Sequence, residues 1–343
     1  MTLHVLVVDD SAVVRQMVSS MLGAQGMEVA TASDPLIAMQ KMAVRGPDVI
    51  LLDIEMPRMD GLTFLRKVMH ETPVPVVICS ALAGPSSDVA FRALECGAVD
   101  VVAKPEIGLR DFLQESSVIL GDVIRGAAHA RLQPRPAFDV TPRRAAAVSS
   151  ARHAADDCRI IALGASTGGT EALRHILTRF PRNAPGTVIV QHMPEVFTAH
   201  FAKRLDRDAA ITVREAVHGD RIESGLALIA PGNQHMTVER DARGFYVTLA
   251  GGALVSRHRP SVDVLFRSVA AAGEHARAAL LTGMGTDGAE GLLAMRWAGA
   301  MTVAQDEATS VVFGMPREAI VRGAAEQVLP LDEIADALTQ HGS

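Results

Sequence analysis

The sequence predicts an α/β protein of two successive parallel-sheet domains, and three observations carry that prediction. Between residues 3 and 124, five apolar strand-like runs alternate with helical patterns, the signature of a doubly wound parallel sheet. From about residue 157 the alternation resumes, interrupted by one two-stranded antiparallel pattern. Between the two, residues 125–156 lose apolar periodicity and become rich in Ala, Arg and Pro. At 343 residues the chain is long enough to bury two separate cores.

In order, the first-half strands are "HVLVVDD", "MEVATAS", "DVILLDI", "VPVVICSA" and "VDVVAKP". The stretch from Arg125, with six arginines, reads as an interdomain linker, partly extended and helical at its ends. It is expected to be a solvated tether. This divides the chain into domains at 1–124 and 157–343 joined by a linker at 125–156. The second domain has strands at "RIIALGA", "TVIVQHM", "ARAALLTG" and "AMTVAQ". Residues 211–250 differ: "ALIAPG" is followed by "MTVERDARGFYVTL", a hairpin turning near Arg243-Gly244, so a β insertion on the sheet is expected.

Composition narrows the function classes. The chain is 48% hydrophobic and 21% charged, ordinary for a soluble domain, and no apolar run approaches the roughly 18 residues of a membrane span. A net charge of −6 and 3% aromatics argue against a nucleic-acid groove, which needs basic stripes and stacking rings. The start "MTLHVLVVDD" reads as a strand, not a signal peptide. Three widely spaced cysteines, Cys79, Cys96 and Cys158, fit a reducing cytoplasm without a disulfide or zinc framework. The expectation is a cytoplasmic, monomeric protein without membrane insertion.

The first half carries one constellation. Asp9 and Asp10 close its first strand, Asp53 the third, Ser80 the fourth and Lys104 the fifth. Ligands of open α/β sheets bind at the carboxyl ends of strands, where all five residues fall. Clustered carboxylates repel unless a cation neutralises them, and an oxygen-only set suits Mg²⁺. The lysine and hydroxyl suit a phosphoryl group carried on one carboxylate, so the reading is a phosphoacceptor site.

The second half opens on "GASTGG", residues 164–169, between an apolar strand and the helical "TEALRHILTRF". Such a turn can cradle a phosphate, raise Ser166 as a nucleophile, or let Ser166 cap the helix. A dinucleotide site would want an acidic residue at the end of the next strand, which instead ends in "VIVQHMP" with His192. A later strand leads into "LLTGMGTDG", bringing Asp287. Nucleophile, base and orienting carboxylate are thus all available at strand ends. His235, in "APGNQHM", is an alternative base, and Asp287 taken alone could cap the helix that follows it. Backbone N–H groups near Thr167 and Met284, in glycine-flanked turns, are candidate oxyanion donors. A gated nucleotide-binding module and a non-catalytic output domain remain rival readings.

The first half, through "VVDDS", "LLDIEMPRMDG", "VVICSA" and "VVAKP", resembles the receiver domain of bacterial response regulators, a flavodoxin-like fold. The resemblance implies that Asp53 accepts a phosphoryl group from a histidine kinase. Asp10, Asp53 and the Glu55 carbonyl would hold Mg²⁺ with Asp9 nearby, and Ser80 and Lys104 would contact the phosphoryl oxygens. Val101 departs from the pattern, standing where many receivers carry an aromatic switch residue. By the same resemblance the Lys104–Pro105 bond would be cis. A receiver tethered to "GASTGG", "VQHM" and "LTGMGTDGAEG", with "IAPGNQHM" and "RPSVDVLFRSVA", resembles the chemotaxis methylesterase family CheB across essentially the whole chain. That implies hydrolysis of glutamate methyl esters on chemoreceptors and deamidation of receptor glutamines. The triad would be Ser166, His192 and Asp287, with no metal needed for ester hydrolysis and an unphosphorylated receiver covering the site.

Overall fold

The computed structural model describes residues 2–56, 59–80, 86–104, 110–132 and 159–339, without the side chains of 86–88 and 110–116. The first domain alternates β1 (His4–Val8), α1 (Ala12–Gly23), β2 (Glu28–Ala32), α2 (Pro35–Val44), β3 (Val49–Asp53) and α3 (Gly61–Glu71). It continues with β4 (Val76–Ser80), α4 (Ser86–Glu95), β5 (Asp100–Ala103) and α5 (Arg110–Ala128). The five strands are all parallel in the order β2-β1-β3-β4-β5. Strands β1, β3 and β4 are buried along their whole length, as continuous apolar runs covered by helices on both faces must be. Ser11, Asp34 and Asp60 cap α1, α2 and α3 by accepting their first free N–H groups. Helix α5 runs on to Ala128, four residues into the stretch read as linker. Residues 133–158 and Pro105 lie outside the described residues, so the extended tether and the cis Lys104–Pro105 bond are not described.

The second domain runs β6 (Ile160–Ala165), α6 (Gly169–Leu177), β7 (Gly186–Gln191), α7 (Glu195–Asp208), β8 (Thr212–Glu215) and β9 (Leu226–Ile229). Then come β10 (His235–Asp241), β11 (Gly244–Ala250), α8 (Val262–Val269), a 3₁₀ turn at Ala270–His275 and β12 (Ala276–Leu280). Finally there are α9 (Ala289–Trp297), β13 (Met301–Gln305), α10 (Met315–Val321), β14 (Gln327–Leu329) and α11 (Leu331–Thr339). Seven parallel strands form one sheet in the order β14-β13-β12-β6-β7-β9-β8. The antiparallel insertion is narrower than the 211–250 expected from sequence. Strands β8 and β9 pair in parallel and belong to the main sheet; only β10 and β11 form a separate hairpin. Its turn is Ala242-Arg243, closed by Gly244 at φ +117°. Met236, Val238, Phe245 and Val247 of the hairpin share a core cluster with Leu265, Phe266 and Val269 of α8.

The chain leaves β6 toward β7 on one side and returns to β12 on the other, so the strand order reverses beside β6. Loops part at such a reversal and leave a crevice at the carboxyl strand ends, the usual ligand position in open parallel sheets. The first domain sits at this edge through α4, β5 and α5. Phe91 of α4 meets Phe197 edge-on (6.3 Å, 86°) and stacks on Phe201 (5.9 Å, 13°). Through these rings the two domains' apolar cores join into one cluster. Each aromatic pair adds about 0.5–1.5 kcal/mol beyond its buried area.

Candidate active site and phosphoacceptor site

The β6–β7 register pairs Ala165 with Gln191, so Ser166 and His192 are the next residues out on adjacent strands. His192 N–H donates to Ala165 O (3.1 Å), and Gln191 Nε2 donates to Ser166 O (2.9 Å), tying the two strand ends together. Ser166 N–H donates to Thr282 O at 3.0 Å, which adds the loop after β12. Ser166 does not cap α6: the N-cap is Gly168, at φ +79°, and it makes no side-chain capping bond. A Cβ on Gly168 would lie 2.6 Å from Val311, so sterics as well as the positive φ require glycine there.

Asp287, from the loop after β12, is 1% exposed. It likewise does not cap the helix that follows it. Its carboxylate reaches the start of α8, accepting from Ser261 Oγ (2.7 Å), Val262 N–H (2.7 Å) and Asp263 N–H (3.1 Å). His192 Nε2 lies 2.8 Å from Asp287 Oδ2. Burial pushes the Asp287 carboxyl up, but the His192 bond and charge with the Ser261 and Val262 donors outweigh it and hold the group down near 2. Anionic Asp287 makes Nε2 the protonated nitrogen of His192. Nδ1 is then a lone-pair acceptor, and it is buried without a hydrogen-bond partner. His235, the alternative base, has both ring nitrogens engaged with backbone: Nε2 with Ala253 O (2.9 Å) and Nδ1 with Ser261 N–H (3.3 Å). Thr167 is 1% exposed, and neither its N–H nor that of Met284 donates to a described backbone group.

The receiver-like domain touches both of these residues. Thr167 Oγ1 donates to Asp100 Oδ2 at 2.7 Å. Gly126 of α5 abuts Met284 so closely that a Cβ would lie 3.2 Å from the Met284 Cβ. Asp122 of α5 pairs with Arg257 at 3.1 Å, Arg131 with Glu307 at 2.5 Å, and Glu95 with Arg204. Burial pushes the Asp100 carboxyl up to about 6, against the lowering effect of the Thr167 and Val101 donors.

In the first domain, carboxylate oxygens of Asp9, Asp10 and Asp53 lie within 4.8 Å of one another, an oxygen-only set matching a hard divalent cation. Lys104 Nζ is 2.6 Å from Asp53 Oδ2 and 3.1 Å from Asp9 Oδ2. Glu55 N–H donates to Asp53 Oδ1 (3.1 Å), which brings the Glu55 backbone to the cluster. Burial raises the Asp53 carboxyl, and the Lys104 bond and charge offset this only in part. Ser80 is 2% exposed at the end of β4, and Val101 is buried in β5.

Sequence reasoning brought the three triad candidates to one sheet edge but missed Ser261, His258 and Asp100. Ser261 had a local signal: it is the N-cap of α8, accepting from Val264 N–H, at the head of the quoted "SVDVLF". His258, stacked on His192 with ring centroids 3.6 Å apart, had none. Asp100 was visible only as an acid at the start of a buried strand.

Residues 161–338 match the CheB methylesterase family model and residues 5–114 the response regulator receiver domain. The chain is 56% identical over 98% of both chains to a protein-glutamate methylesterase/protein-glutamine glutaminase of Anaeromyxobacter dehalogenans. It is 51% identical, over 97% of both, to one of Geobacter metallireducens. Among solved structures, the Thermotoga maritima CheB methylesterase catalytic domain matches with TM-score 0.52 and 36% identity, covering 53% of this chain and 97% of that one. Among the described residues no helix is long and apolar enough to cross a membrane. The catalytic-domain match over residues 161–338, the receiver match over residues 5–114 and the full-length relatives make this protein a member of the CheB methylesterase family with an N-terminal response regulator receiver domain.

Proposed function

We propose that this chain is a phosphorylation-activated serine hydrolase that removes methyl esters from chemoreceptor glutamates and deamidates receptor glutamines. A receiver at 1–124 would be tethered by 125–156 to a catalytic domain at 157–343. The observation that carries the reading is His192, held by Nε2 on a buried anionic Asp287 while Nδ1 is buried without a partner. A buried acceptor left unpaired costs about 1–3 kcal/mol, a cost accounted for if that nitrogen takes a proton during the reaction.

Ser166 Oγ attacks the ester carbonyl carbon and its proton passes to His192 Nδ1. The carbonyl oxygen becomes an oxyanion that the Thr167 and Met284 N–H groups would bind. The carbon–methoxy bond breaks, His192 returns the proton to the leaving oxygen, and methanol departs. Water then attacks the acyl-serine by the same base and leaves a glutamate. A glutamine side chain follows the same course with ammonia leaving. Asp287 acts throughout by holding the imidazole tautomer and balancing its positive charge.

In the receiver, Asp53 takes a phosphoryl group from a histidine kinase, the P–N bond breaking as P–O forms. Asp10, Asp53 and the Glu55 carbonyl would hold Mg²⁺ with Asp9 nearby, and the ion would supply charge neutralisation for the transfer. Ser80 and Lys104 then contact the phosphoryl oxygens. The unphosphorylated receiver blocks the site, because both proposed oxyanion residues lie under it: Thr167 on Asp100 and Met284 on Gly126. A receptor helix is far bulkier than a methyl ester and cannot enter. The substrate receptors, the kinase donor and a cytoplasmic location complete the proposal.

Methanol release from methylated receptor membranes tests it. Ser166→Ala, His192→Ala and Asp287→Ala should each lose at least about a hundredfold, non-additively, with Asp287→Ala mildest. A folded Ser166→Ala protein releasing methanol at the normal rate would remove the nucleophile from the scheme.

A further inference from the structure

We propose that His258 is a positioning residue for the base: its ring lies flat on His192 and fixes the imidazole plane in which proton transfer with Ser166 occurs. The proposal deepens the hydrolase reading and rests on it. The two rings are 9° from parallel with centroids 3.6 Å apart. A single bond from Nε2 to Asp287 leaves an imidazole free to swing about that bond, so the direction of Nδ1 needs a second constraint. A flat neighbour against the ring face supplies one. It also suits the charge that develops, since a neutral π face attracts the imidazolium formed on His192, whereas a second cation there would oppose it. Burial and the neighbouring His192 charge push the His258 imidazole down to about 3, which keeps it neutral through the working range.

The backbone is built to hold that ring. Val255 and His258 exchange both backbone hydrogen bonds (3.1 and 2.9 Å) across a two-residue turn. Both turn residues, Ser256 at φ 51° and Arg257 at φ 67°, are left-handed without being glycine. Such residues cost about 1–3 kcal/mol each and persist where surrounding contacts over-determine them, commonly at functional sites. Here contacts within the catalytic domain flank the turn on both sides. Before it, Ala253 O meets His235 Nε2 (2.9 Å); after it, Arg259 Nε donates to Asn233 Oδ1 (3.0 Å) and Ser261 Oγ donates to Asp287. The segment thus positions the base through His258 and its orienting carboxylate through Ser261.

The test uses the full chain phosphorylated with acetyl phosphate and Mg²⁺, and methanol release from a soluble glutamate-γ-methyl ester peptide. Circular dichroism melting reports folding. His258→Ala should lower kcat at least about tenfold with KM within about twofold, a split expected of a group that aligns the reacting atoms without binding substrate. His258→Phe, flat and uncharged, should restore kcat to within about threefold of the native value. Equal losses in the folded Ala and Phe variants would overturn the stacking role, as would an unimpaired His258→Ala. If the Ala variant fails to fold, the Phe variant decides alone, and loss of its kcat overturns the proposal. Ser166→Ala in the same assay separates the two readings. An inactive Ser166→Ala beside an unimpaired His258→Ala leaves the hydrolase standing and removes only the positioning role, whereas an active Ser166→Ala overturns both.

Discussion

Asp100→Asn should make the unphosphorylated enzyme less active, although the substitution lies in the receiver and leaves the triad alone. Asp100 is 8% exposed, wedged at the domain boundary on the Thr167 hydroxyl. Burial moves its carboxyl from the 3.8 of a free aspartate to about 6 in the closed arrangement. Burial alone raises this pKa, against the lowering Thr167 bond and His192 charge, so an opening that returns the carboxyl to water moves it back toward the free value and closure binds the proton more tightly. Closure is therefore at full strength below about pH 4, weakens as the pH rises toward about 6, and stays weakened above it. The shift corresponds to about 3 kcal/mol, a ceiling of about a hundredfold on the closed-to-open ratio. Asn mimics the protonated acid: Oδ1 can still accept from Val101 N–H and Nδ2 can donate to the Thr167 hydroxyl, which both donates and accepts. The variant keeps the closure that the wild type loses. Methanol release from receptor membranes, measured without phosphodonor between about pH 5 and pH 8, gives the wild-type-to-variant rate ratio, in which the triad's own pH dependence cancels. That ratio should rise with pH to about tenfold or more and level off above about pH 6.5. A ratio independent of pH, or a variant with higher basal activity than the wild type, would refute the reasoning.

Other outcomes follow from the same contacts. Asp53→Asn should lose phosphoryl labelling by acetyl phosphate while keeping basal methanol release, because Asp53 is in the other domain; persistent labelling would move the acceptor to Asp9 or Asp10. Residues 158–343 alone should fold and act faster on receptor membranes than the unphosphorylated full chain, with a smaller gain on a small soluble ester. A folded but slower fragment would mean that the receiver activates directly. Gly126→Leu should raise basal activity severalfold, since a side chain there collides with Met284 and wedges the domains apart; its target is the interface, and a circular dichroism melt should show both domains intact. An unchanged basal rate in a folded Gly126→Leu protein would show that α5 does not cover the site.

Much of this protein is legible in the chain because its signals are local. A buried parallel strand must be an apolar run, and the residue that leaves it must turn, so Asp9, Asp53, Lys104, Ser166, His192 and Asp287 announce themselves as polar groups at the ends of such runs. Periodicity also marked the β10–β11 hairpin, but it could not separate β8 and β9 from that insertion. A short strand reads alike whether its neighbour runs parallel or antiparallel, and only the pairing of β9 with β7, and of β8 with β9, assigned them to the main sheet. Which helix Asp287 serves was likewise undecidable from its position before α9. Its carboxylate satisfies the start of α8, some 25 residues earlier in the chain, because the fold brings those free N–H groups to it. His258 against His192, and Asp100 against Thr167, are contacts between residues 66 and 67 positions apart that no periodicity encodes. Sequence determined which groups stand at the strand ends. Tertiary packing, by joining α4, β5 and α5 to the catalytic edge, decided which of them meet, which nitrogen of His192 is left free, and which carboxylate lies beside the nucleophile's neighbour.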